Sequence, residues 1–519
     1  MLAIWEQLLH TERVQGKSGP NPELLDAGAL CRQLVPDGSV YAFLADHRAE
    51  LFPDEAFSDL FPSGTGRPSV PAEVMASAMV LKELEGLSDR QAADALRCDI
   101  RWKVATGLAL DHPGVHFTVF TYWRTRMDRS ASPERIREAV SEVIGATGVL
   151  AGRRRRALDS TLLDDAVATQ DTVTQLVSAI RRVRRVVPEA AAVKVSAHDY
   201  DAAGKPVCAW DDPEAKAALV SALVNDARAI IATLERVDLS GEQADAVGLL
   251  ALVAGQDVEP GEEEGTWRIA RRVAPDRVIS TVDPQARHMH KSRSEYRDGY
   301  KAHLAVEPET GLITAAALTP ANAADGPHGV ALLDGEEPGL EVLADSAYGS
   351  GQTRADLRAG GHTQTIKPIP LRPAVPGGFT KDNFAIDTAA GTVTCPAGQT
   401  VNITPGNRAV FGVRCRSCPL ASFCTTRKVG RTLEIHPHED ELIAARRRAE
   451  EPEYVASYRL WRPMVERSIA WLVADNHRRV RYRGVRRNQM GLSLRVAAIN
   501  LRRLVNLGLD HDGNWVVAG

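Results

Sequence analysis

LEVLADSAYGS, residues 340–350, is the stretch that decides the fold. Its apolar residues end at Ala344 and are followed by Asp345 and a small hydroxyl residue, Ser346. A short apolar run bounded by turn residues predicts a buried β-strand. A carboxylate that follows such a strand stands at the edge of a sheet, where side chains from several strands can converge. We therefore predict a strand that presents Asp345 at one sheet edge.

A second stretch of the same kind is RRRALDSTLLDD, residues 154–165. We predict a strand that ends at Asp159, which is followed by a hydroxyl residue, Ser160. An aspartate after a strand also caps the turn or helix that follows, and either aspartate alone fits that structural role equally well. The presence of two such strands favours a site that both aspartates share.

The pattern around these two strands predicts an α/β fold with a mixed sheet flanked by helices. We predict a strand in RVISTVD, and a hairpin in GYKAHLAVEPETGLITAAALTP with its turn at 308–311. DGPHGVALLD is predicted to be a short helix. A further helix and strand are predicted at 352–359 and 363–367.

The rest of the chain is mostly helical by pattern. From about Pro22 to Met127, apolar residues recur three and four apart. Within this part, Ser88 and Gln91 form a predicted capping box before a break near Cys98, which indicates a helix-turn-helix or, equally, a structural helical hairpin. The predicted organisation is a helical DNA-binding domain at 1–130, a linker helix at 131–152, a catalytic core at 153–375 with a helical insertion at about 170–265, a cysteine-rich insertion at 376–435 and C-terminal helices at 436–519.

Composition is that of a soluble globular protein. Hydrophobic residues make up 44% and charged residues 25% of 519 residues, and no apolar run approaches the length of a membrane span. The first residues lack the pattern of a signal peptide, so we expect a cytoplasmic location. The net charge of -4 gives no sign of a polyanionic partner, and basic residues are instead clustered in three places. These are Arg153–Arg156, Ile180–Val187 and His477–Asn488.

A third carboxylate is offered by YRLWRPMVERSIAWLVADN, residues 458–476. Its predicted buried stripe consists of Trp461, Val465, Ile469 and Leu472. Glu466 lies beside that stripe and could reach a sheet edge, although its spacing alone is more typical of a solvated surface residue than of a ligand. Three carboxylates are a ligand set suited to Mg²⁺, which activates an oxygen nucleophile in phosphodiester chemistry. Asp164 and Asp165 are rival ligands to Asp159 if the first strand ends later than predicted.

Four of the seven cysteines lie close together, in TCPAG and CRSCPLASFC. An odd number of cysteines in a cytosolic chain argues against a disulfide framework. Two thiols that are two residues apart can reach one tetrahedral zinc ion, so a structural zinc site is one interpretation and buried reduced thiols are the other. The four candidate ligands are Cys395, Cys415, Cys418 and Cys424.

Several motifs, in order, resemble the DDE transposases of bacterial insertion sequences, specifically the insertion-sequence 1182 group. The likeness begins in GRPSVPAEVMASAMVLKELEGLSDRQAADALRCDIRWKVATGL and FTVFTYWRTRM. It continues through RALDST, DPQAR, HKS, GYKAHLAVE, VLADSAYGS and RPMVERSIAWL. Related groups place a tyrosine, an arginine and a lysine around the third carboxylate. Here the arginine matches at Arg462, Tyr458 is one residue out of register, and Val473 occupies the place of the lysine.

The resemblance implies a ribonuclease H-like catalytic core in which Asp159, Asp345 and Glu466 bind two Mg²⁺ ions, or Mn²⁺ in their place. It implies cleavage at terminal inverted repeats and strand transfer into target DNA by a nucleoid-associated enzyme that acts as a homodimer on double-stranded DNA, away from any membrane. Phosphate contacts are expected from arginines in and after the Glu466 helix. These are Arg462, Arg478, Arg479, Arg481 and Arg483.

Two other hypotheses compete with an active transposase. One is an inactive or domesticated DNA-binding derivative, which loss of a triad carboxylate would indicate; all three are present. The other is a zinc-organised nuclease unrelated to transposition, which would act on DNA that lacks any end sequence.

Overall fold

The computed structural model describes residues 14–18, 25–63, 65–272, 274–290 and 296–518. The opening segment considered above for a signal peptide, the first residues of the helical stretch that begins near Pro22, and Lys291 of the HKS motif lie outside the described residues.

The secondary structure alternates helical and sheet regions. The helices are α1 (Ala27–Cys31), α2 (Val40–Leu51), α3 (Ala72–Leu84), α4 (Asp89–Cys98), α5 (Ile100–Thr106), α6 (Thr118–Arg129), α7 (Arg135–Thr147), α8 (Thr172–Val186), α9 (Pro188–Ala191), α10 (Pro213–Leu234), α11 (Gly241–Gln256), α12 (Asp325–Ala331), α13 (Gly351–Ala359), α14 (Ala421–Cys424), α15 (Glu439–Arg448), α16 (Pro452–Trp461), α17 (Pro463–Val473) and α18 (Val485–Asn506). The strands are β1 (Arg155–Asp164), β2 (Val258–Pro260), β3 (Trp267–Ile269), β4 (Arg287–His290), β5 (Tyr296–Val306), β6 (Ile313–Pro320), β7 (Glu341–Ala344), β8 (Thr363–Ile366), β9 (Ala385–Asp387), β10 (Thr392–Thr394), β11 (Thr400–Asn402), β12 (Arg408–Val410), β13 (Thr432–Glu434), β14 (Leu509–His511) and β15 (Trp515–Val517).

A mixed six-stranded sheet forms the centre of the fold, as predicted. Its order is β6, β5, β1, β7, β8, and β4 pairs with the beginning of β5. β1 is antiparallel to β5 and parallel to β7, β7 is parallel to β8, and β5 and β6 form the predicted hairpin. The predicted short helix and the helix and strand that follow Asp345 are confirmed as α12, α13 and β8.

The N-terminal helices and α18 share one hydrophobic core. Leu44, Met75 and Trp102 from the N-terminal helices are buried with Leu494 and Leu501 of α18. The neighbouring residues Leu492, Val496 and Ile499 of the same helix pack on the sheet. Because α18 is covered on both sides, it joins the N-terminal helices to the sheet.

The second helix of the predicted helix-turn-helix is mostly buried. The Ser88–Gln91 capping box is present at the start of α4, and only Asp99 separates α4 from α5. Five residues of α5, Trp102 to Thr106, are buried. A helix that reads DNA must expose one face to a groove. The structure therefore supports the alternative of a structural helical hairpin for this pair.

The helical insertion between β1 and β4 has its own core. α8, α10 and α11 bury Leu176, Ile180, Leu223, Ile230 and Leu250 against one another. Among the described residues, Pro213–Leu234 is the one helix long and apolar enough to cross a membrane by length and composition. Its buried residues lie in the core of the insertion, which is the environment of a packed helix.

Three expectations about element bounds need correction. β1 does not end at Asp159 but continues to Asp164, because residues 160–164 keep pairing with β5. Residues 277–283 form no strand and make only an isolated bridge from Val278 to Arg287. The predicted Glu466 helix is divided at Arg462, since Pro463 begins a new helix and lacks the amide that would continue the first.

Candidate active site

Asp159 lies within β1, and Asp345 directly follows β7, the parallel neighbour of β1. The parallel register of β1 and β7 pairs Arg155 with Glu341 and Ala157 with Leu343. Continued by two residues, this register places Asp159 opposite Asp345. Neighbouring strands lie about 4.8 Å apart. The fold therefore brings together two aspartates that are far apart in the sequence.

Asp159 is largely buried on the sheet face that α17 covers. Its side chain is 15% exposed, and one carboxylate oxygen lies 2.9 Å from the guanidinium of Arg462. The other oxygen accepts the Ser160 amide at 2.8 Å. Burial raises the pKa of Asp159 to about 6, against the attraction of Arg462 and with a further contribution from the charge of Asp345. The ionised form of Asp159 is therefore disfavoured, because the charge of Arg462 does not fully compensate for the burial of the carboxylate.

Asp345 is half-buried, and one of its carboxylate oxygens accepts a hydrogen bond. Its Oδ1 accepts the Ala347 amide at 2.8 Å and so caps the 3-10 turn Ser346–Tyr348. The turn-capping role that the sequence allowed is therefore present. It uses one carboxylate oxygen only, which leaves the other for a ligand or cation.

Glu466 lies one turn beyond Arg462 but points towards solvent. Its side chain is 67% exposed, and its carboxylate lies 3.4 Å from the Arg462 guanidinium. Val465 and Leu472 of the predicted stripe are buried, while Trp461 and Ile469 are partly buried against the same core. Arg462 therefore links Asp159 to Glu466.

The helix pair is anchored to the sheet next to the aspartates. Ser457 of α16 donates to Glu341 of β7 at 2.6 Å, and Arg155 of β1 donates to the same glutamate at 3.0 Å. The Arg155 guanidinium also lies 4.8 Å from the centre of the Trp461 ring. These contacts fix the position of the first residues of α17. They therefore determine which positions the side chains of Arg462 and Glu466 can reach.

Within the part of the chain that the structure describes, no three His, Cys, Asp or Glu side chains lie close enough to hold a metal ion together. The carboxylate oxygens nevertheless suit Mg²⁺ chemically, and Asp345 lies near enough for its charge to raise the pKa of Asp159. Glu466 is held away by its contact with Arg462, whose cation lies between two of the three carboxylates.

The rival acids Asp164 and Asp165 lie at the far end of β1. Asp164 forms an ion pair with Arg297 at 2.8 Å. Burial raises the pKa of Asp165 to about 6, and the nearby charge of Asp298 adds to the effect. Both acids are five or six residues beyond Asp159, so they do not share its place beside Asp345.

The other face of β1 carries polar residues that the sequence did not assign to the site. Ser160 donates from its hydroxyl to Asp325 at 2.7 Å, and Lys301 lies 3.2 Å from the same carboxylate. His303 is fully buried beside them, and burial lowers its pKa to about 4. The signals in the sequence were Lys301 and His303 in the GYKAHLAVE motif and an acidic residue at the start of the short helix DGPHGVALLD.

Most of the arginines predicted to contact DNA bind protein groups. Arg478 donates to Thr161 and Leu162, Arg479 donates to the Asp165 carbonyl, and Arg481 donates to the carbonyls of Gly86 and Leu87. Arg483 and its neighbour Arg487 are exposed and form no ion pair among the described residues. The basic run 153–156 is also largely paired, with Glu309, Glu336 and Glu341.

The four clustered cysteines line one small cavity together with two arginines, Arg414 and Arg431. Burial raises the pKa of Cys424, and the other three thiols add to the effect. The backbone amide of Arg431 donates to the sulfur of Cys415 at 3.4 Å. The fold thus brings four thiols from a stretch of thirty residues to the lining of one cavity, although no three of these described side chains lie close enough to hold a metal ion together.

Two stretches of the chain match known protein families. Residues 30–126 match the family described as Transposase domain (DUF772), and residues 394–505 match the family described as Transposase DDE domain. The second match contains Glu466 and the cysteine cluster. No curated protein and no solved structure matches the chain. The two matches, one in the N-terminal helices and one in the C-terminal part, make the chain similar to DNA transposases and support a DDE transposase of the kind that insertion sequences encode.

Proposed function

We propose that the protein cuts DNA at the ends of its insertion sequence and joins those ends to target DNA, with Asp159, Asp345 and Glu466 as the carboxylate triad. The observation that supports this proposal is the parallel pairing of β1 with β7 up to Ala157 and Leu343, which continued by two residues would bring Asp159 next to Asp345. The match of the segment around Glu466 to a Transposase DDE domain supports the third member.

We also infer that the catalytic core is ribonuclease H-like. The order β6, β5, β1, β7, β8, in which β5 alone runs opposite to the other four strands, supports this inference. The domain bounds given above, action as a homodimer on DNA and membership of the insertion-sequence 1182 group remain part of the proposal.

The triad would hold Mg²⁺, which when bound supplies an activated oxygen nucleophile and neutralises charge at the leaving oxygen. Asp159 offers a rigid ligand because the sheet fixes its backbone, and Asp345 is held at the end of β7 by the 3-10 turn that it caps. Arg462 acts as the counter-cation of Asp159 in the metal-free protein. Its guanidinium is also placed to bind a DNA phosphate once it leaves the carboxylates.

DNA would approach over α17 and the segment after it. Arg467 of α17, Arg483 and Arg487 are exposed cations there that form no ion pair among the described residues. Arg478, Arg479 and Arg481 would serve mainly to hold the segment in place. We therefore propose Arg483 as the first of the five predicted arginines to test for DNA contact.

The proposed function is tested by incubating the purified protein and Mg²⁺ with linear DNA that carries the element's terminal inverted repeats. Strand cleavage is measured on denaturing gels, beside the same DNA with scrambled ends. We expect Glu466→Gln to slow cleavage by about a hundredfold or more, since loss of a metal ligand removes several kcal/mol of transition-state stabilisation. Glu453→Gln, an exposed glutamate on α16, is the matched control and should cleave normally.

Each competing hypothesis gives a different result in that assay. An inactive derivative would bind the inverted repeats and leave them uncut at every Mg²⁺ concentration. A nuclease unrelated to transposition would cut the scrambled DNA as fast as the native ends. Either result would overturn the proposal.

We further propose that Cys395, Cys415, Cys418 and Cys424 bind one structural zinc ion. The small sheets around them have a core of only a few buried residues, among them Val393 and Phe411. A core of this size usually needs a disulfide or a bound metal ion for stability. Four thiolates around zinc carry a net negative charge, which the guanidiniums of Arg414 and Arg431 at the same cavity would balance. The Nε atom of Arg431 is buried and has no hydrogen-bond partner.

Metal analysis of the purified protein tests the zinc site. We expect about one zinc ion per chain and a fall to less than about a tenth of that value in Cys418→Ser, together with a lower melting temperature. Cys98→Ser removes an exposed cysteine far from the cluster and should change neither quantity. A wild-type protein that folds stably without zinc would favour buried reduced thiols instead.

A further inference from the structure

The sheet face opposite Arg462 carries a buried polar cluster that the proposed reaction does not use. Asp325 is its centre: its Oδ1 accepts the Ser160 hydroxyl at 2.7 Å and lies 3.2 Å from Lys301 Nζ. The side chains of Asp325 and Lys301 are 16% and 4% exposed. Beside them, His303 donates to or accepts from Thr319 at 2.9 Å. Burying a charged pair costs free energy unless its geometry is good. The contacts of Asp325 with Ser160 and Lys301 hold α12 against the sheet.

The cluster is connected to Asp159 through one residue. Ser160 holds Asp325 with its hydroxyl and donates its backbone amide to the Asp159 carboxylate at 2.8 Å. Successive side chains on a strand point to opposite faces. Ser160 therefore joins the carboxylate on one face to the cluster on the other.

The same helix also contacts the turn that follows Asp345. Tyr348 closes that turn and is buried beneath α12. A Cβ atom at Gly329 of α12 would lie 2.5 Å from the Tyr348 ring and 3.2 Å from Leu158, the residue before Asp159. One glycine thus lets the helix rest on both segments that carry the aspartates.

We propose that Asp325 and Gly329 are positioning residues, which fix the separation of Asp159 and Asp345 and so set the affinity of the site for Mg²⁺. This inference rests on the proposed function, because it assumes that the two aspartates are metal ligands. Groups that orient metal ligands typically change metal affinity by about 10–100-fold when they are lost.

Titration of Mg²⁺ into the full-length, DNA-free protein by calorimetry tests this inference. We expect Asp325→Asn and Gly329→Ala each to weaken Mg²⁺ binding by about 10–100-fold. The control variants are Asp334→Asn, an exposed aspartate just after α12, and Gly248→Ala, a helical glycine with nothing within 4 Å of the added Cβ. Both controls should bind Mg²⁺ like the wild type.

Melting temperatures separate positioning from a purely structural role. A variant that melts earlier yet binds Mg²⁺ within about twofold of the wild type would overturn the inference. Should Asp325→Asn fail to fold, Ser160→Ala removes the same link and should weaken Mg²⁺ binding in the same direction. Asp159→Asn serves as the reference variant. If Asp159→Asn still binds Mg²⁺, the proposed triad is wrong. If Asp159→Asn loses Mg²⁺ binding while the Asp325 and Gly329 variants keep it, this inference alone is overturned.

Discussion

Asp159→Asn is expected to stop DNA end cleavage and, at the same time, to raise the melting temperature of the metal-free protein. The loss of cleavage should be about a thousandfold or more, because an amide is a poor ligand in place of a shared carboxylate and about 4 kcal/mol of stabilisation is lost. Binding to the inverted repeats should persist, since Asp159 is buried beneath α17. Denaturing gels and a DNA-binding assay measure the two quantities.

The gain in stability follows from the raised pKa of Asp159. The folded-state pKa of about 6 exceeds the ordinary value for aspartate, so the folded protein binds more protons than the unfolded chain between about pH 4 and pH 6. Stability is therefore lost as the pH rises through that window. At pH 8 the asparagine variant should be more stable than the wild type by roughly 2–3 kcal/mol, and at pH 4 the two should be nearly equal.

Asp345→Asn is the matched variant for this experiment. It should stop cleavage as Asp159→Asn does, because both residues would share the metal. Mg²⁺ should raise the melting temperature of the wild type and of neither variant, since a ligand stabilises only the state that binds it. An Asp159→Asn protein that still cleaves DNA would remove Asp159 from the triad and return attention to Asp164 and Asp165.

The strands of the catalytic sheet could be predicted from the sequence because their signals are local. VLA before Asp345 and the two halves of the β5–β6 hairpin are apolar runs bounded by turn residues, and all three are strands in the structure. The end of β1 could not be found in this way. Residues 160–164 stay in the sheet because β5 pairs with them, and that pairing depends on residues 299–303, which are far away in the sequence.

The site itself was only partly predictable. Asp159 and Asp345 were chosen for their position after apolar runs, and their common register depends on how β1 and β7 pair. The exposure of Glu466 and the buried contact of Arg462 with Asp159 depend on the break at Pro463 and on the anchoring of α16. Neither could be read from helical periodicity, which places Glu466 beside the buried stripe without showing its contacts. Asp325 went unnoticed because its partners, Ser160 and Lys301, lie on other strands.

The arginine-rich segment shows why charge alone was a poor guide. Arg478, Arg479 and Arg481 lie next to the proposed site, as predicted, but each donates to main-chain carbonyls. Two of those contacts reach the loop between α3 and α4. The segment after Glu466 therefore connects the N-terminal helices with the end of β1, which a count of unbalanced charges cannot reveal.

Glu83→Ala is expected to destabilise the protein by about 3–5 kcal/mol, because it removes the partner of His477 and leaves the buried Lys82 with only the more distant carboxylate of Asp89, at 3.6 Å. Glu83 lies 2.7 Å from Lys82 and 2.8 Å from His477, and the Glu83 and Lys82 side chains are only 6% and 2% exposed. Chemical denaturation followed by circular dichroism measures the change in the free energy of unfolding. Glu50→Ala, an exposed glutamate on α2, is the control and should alter it by less than about 0.5 kcal/mol.

The effect of Glu83 should depend on pH in a defined direction. Burial alone would raise the pKa of this carboxyl, but the charges of Lys82, His477 and Arg481 outweigh burial and hold the pKa well below its usual range. A carboxyl with a lowered folded-state pKa stabilises the fold above its unfolded pKa, and that stability is lost as the pH falls below about 4.5. The wild type and Glu83→Ala should therefore differ most near neutral pH and converge in acid. A difference that stays constant from pH 7 to pH 3 would show that packing, rather than charge, ties α3 to the segment carrying His477. In that case the N-terminal helices and the proposed catalytic segment would be joined by the apolar core around α18 and by the Arg481 contacts with Gly86 and Leu87.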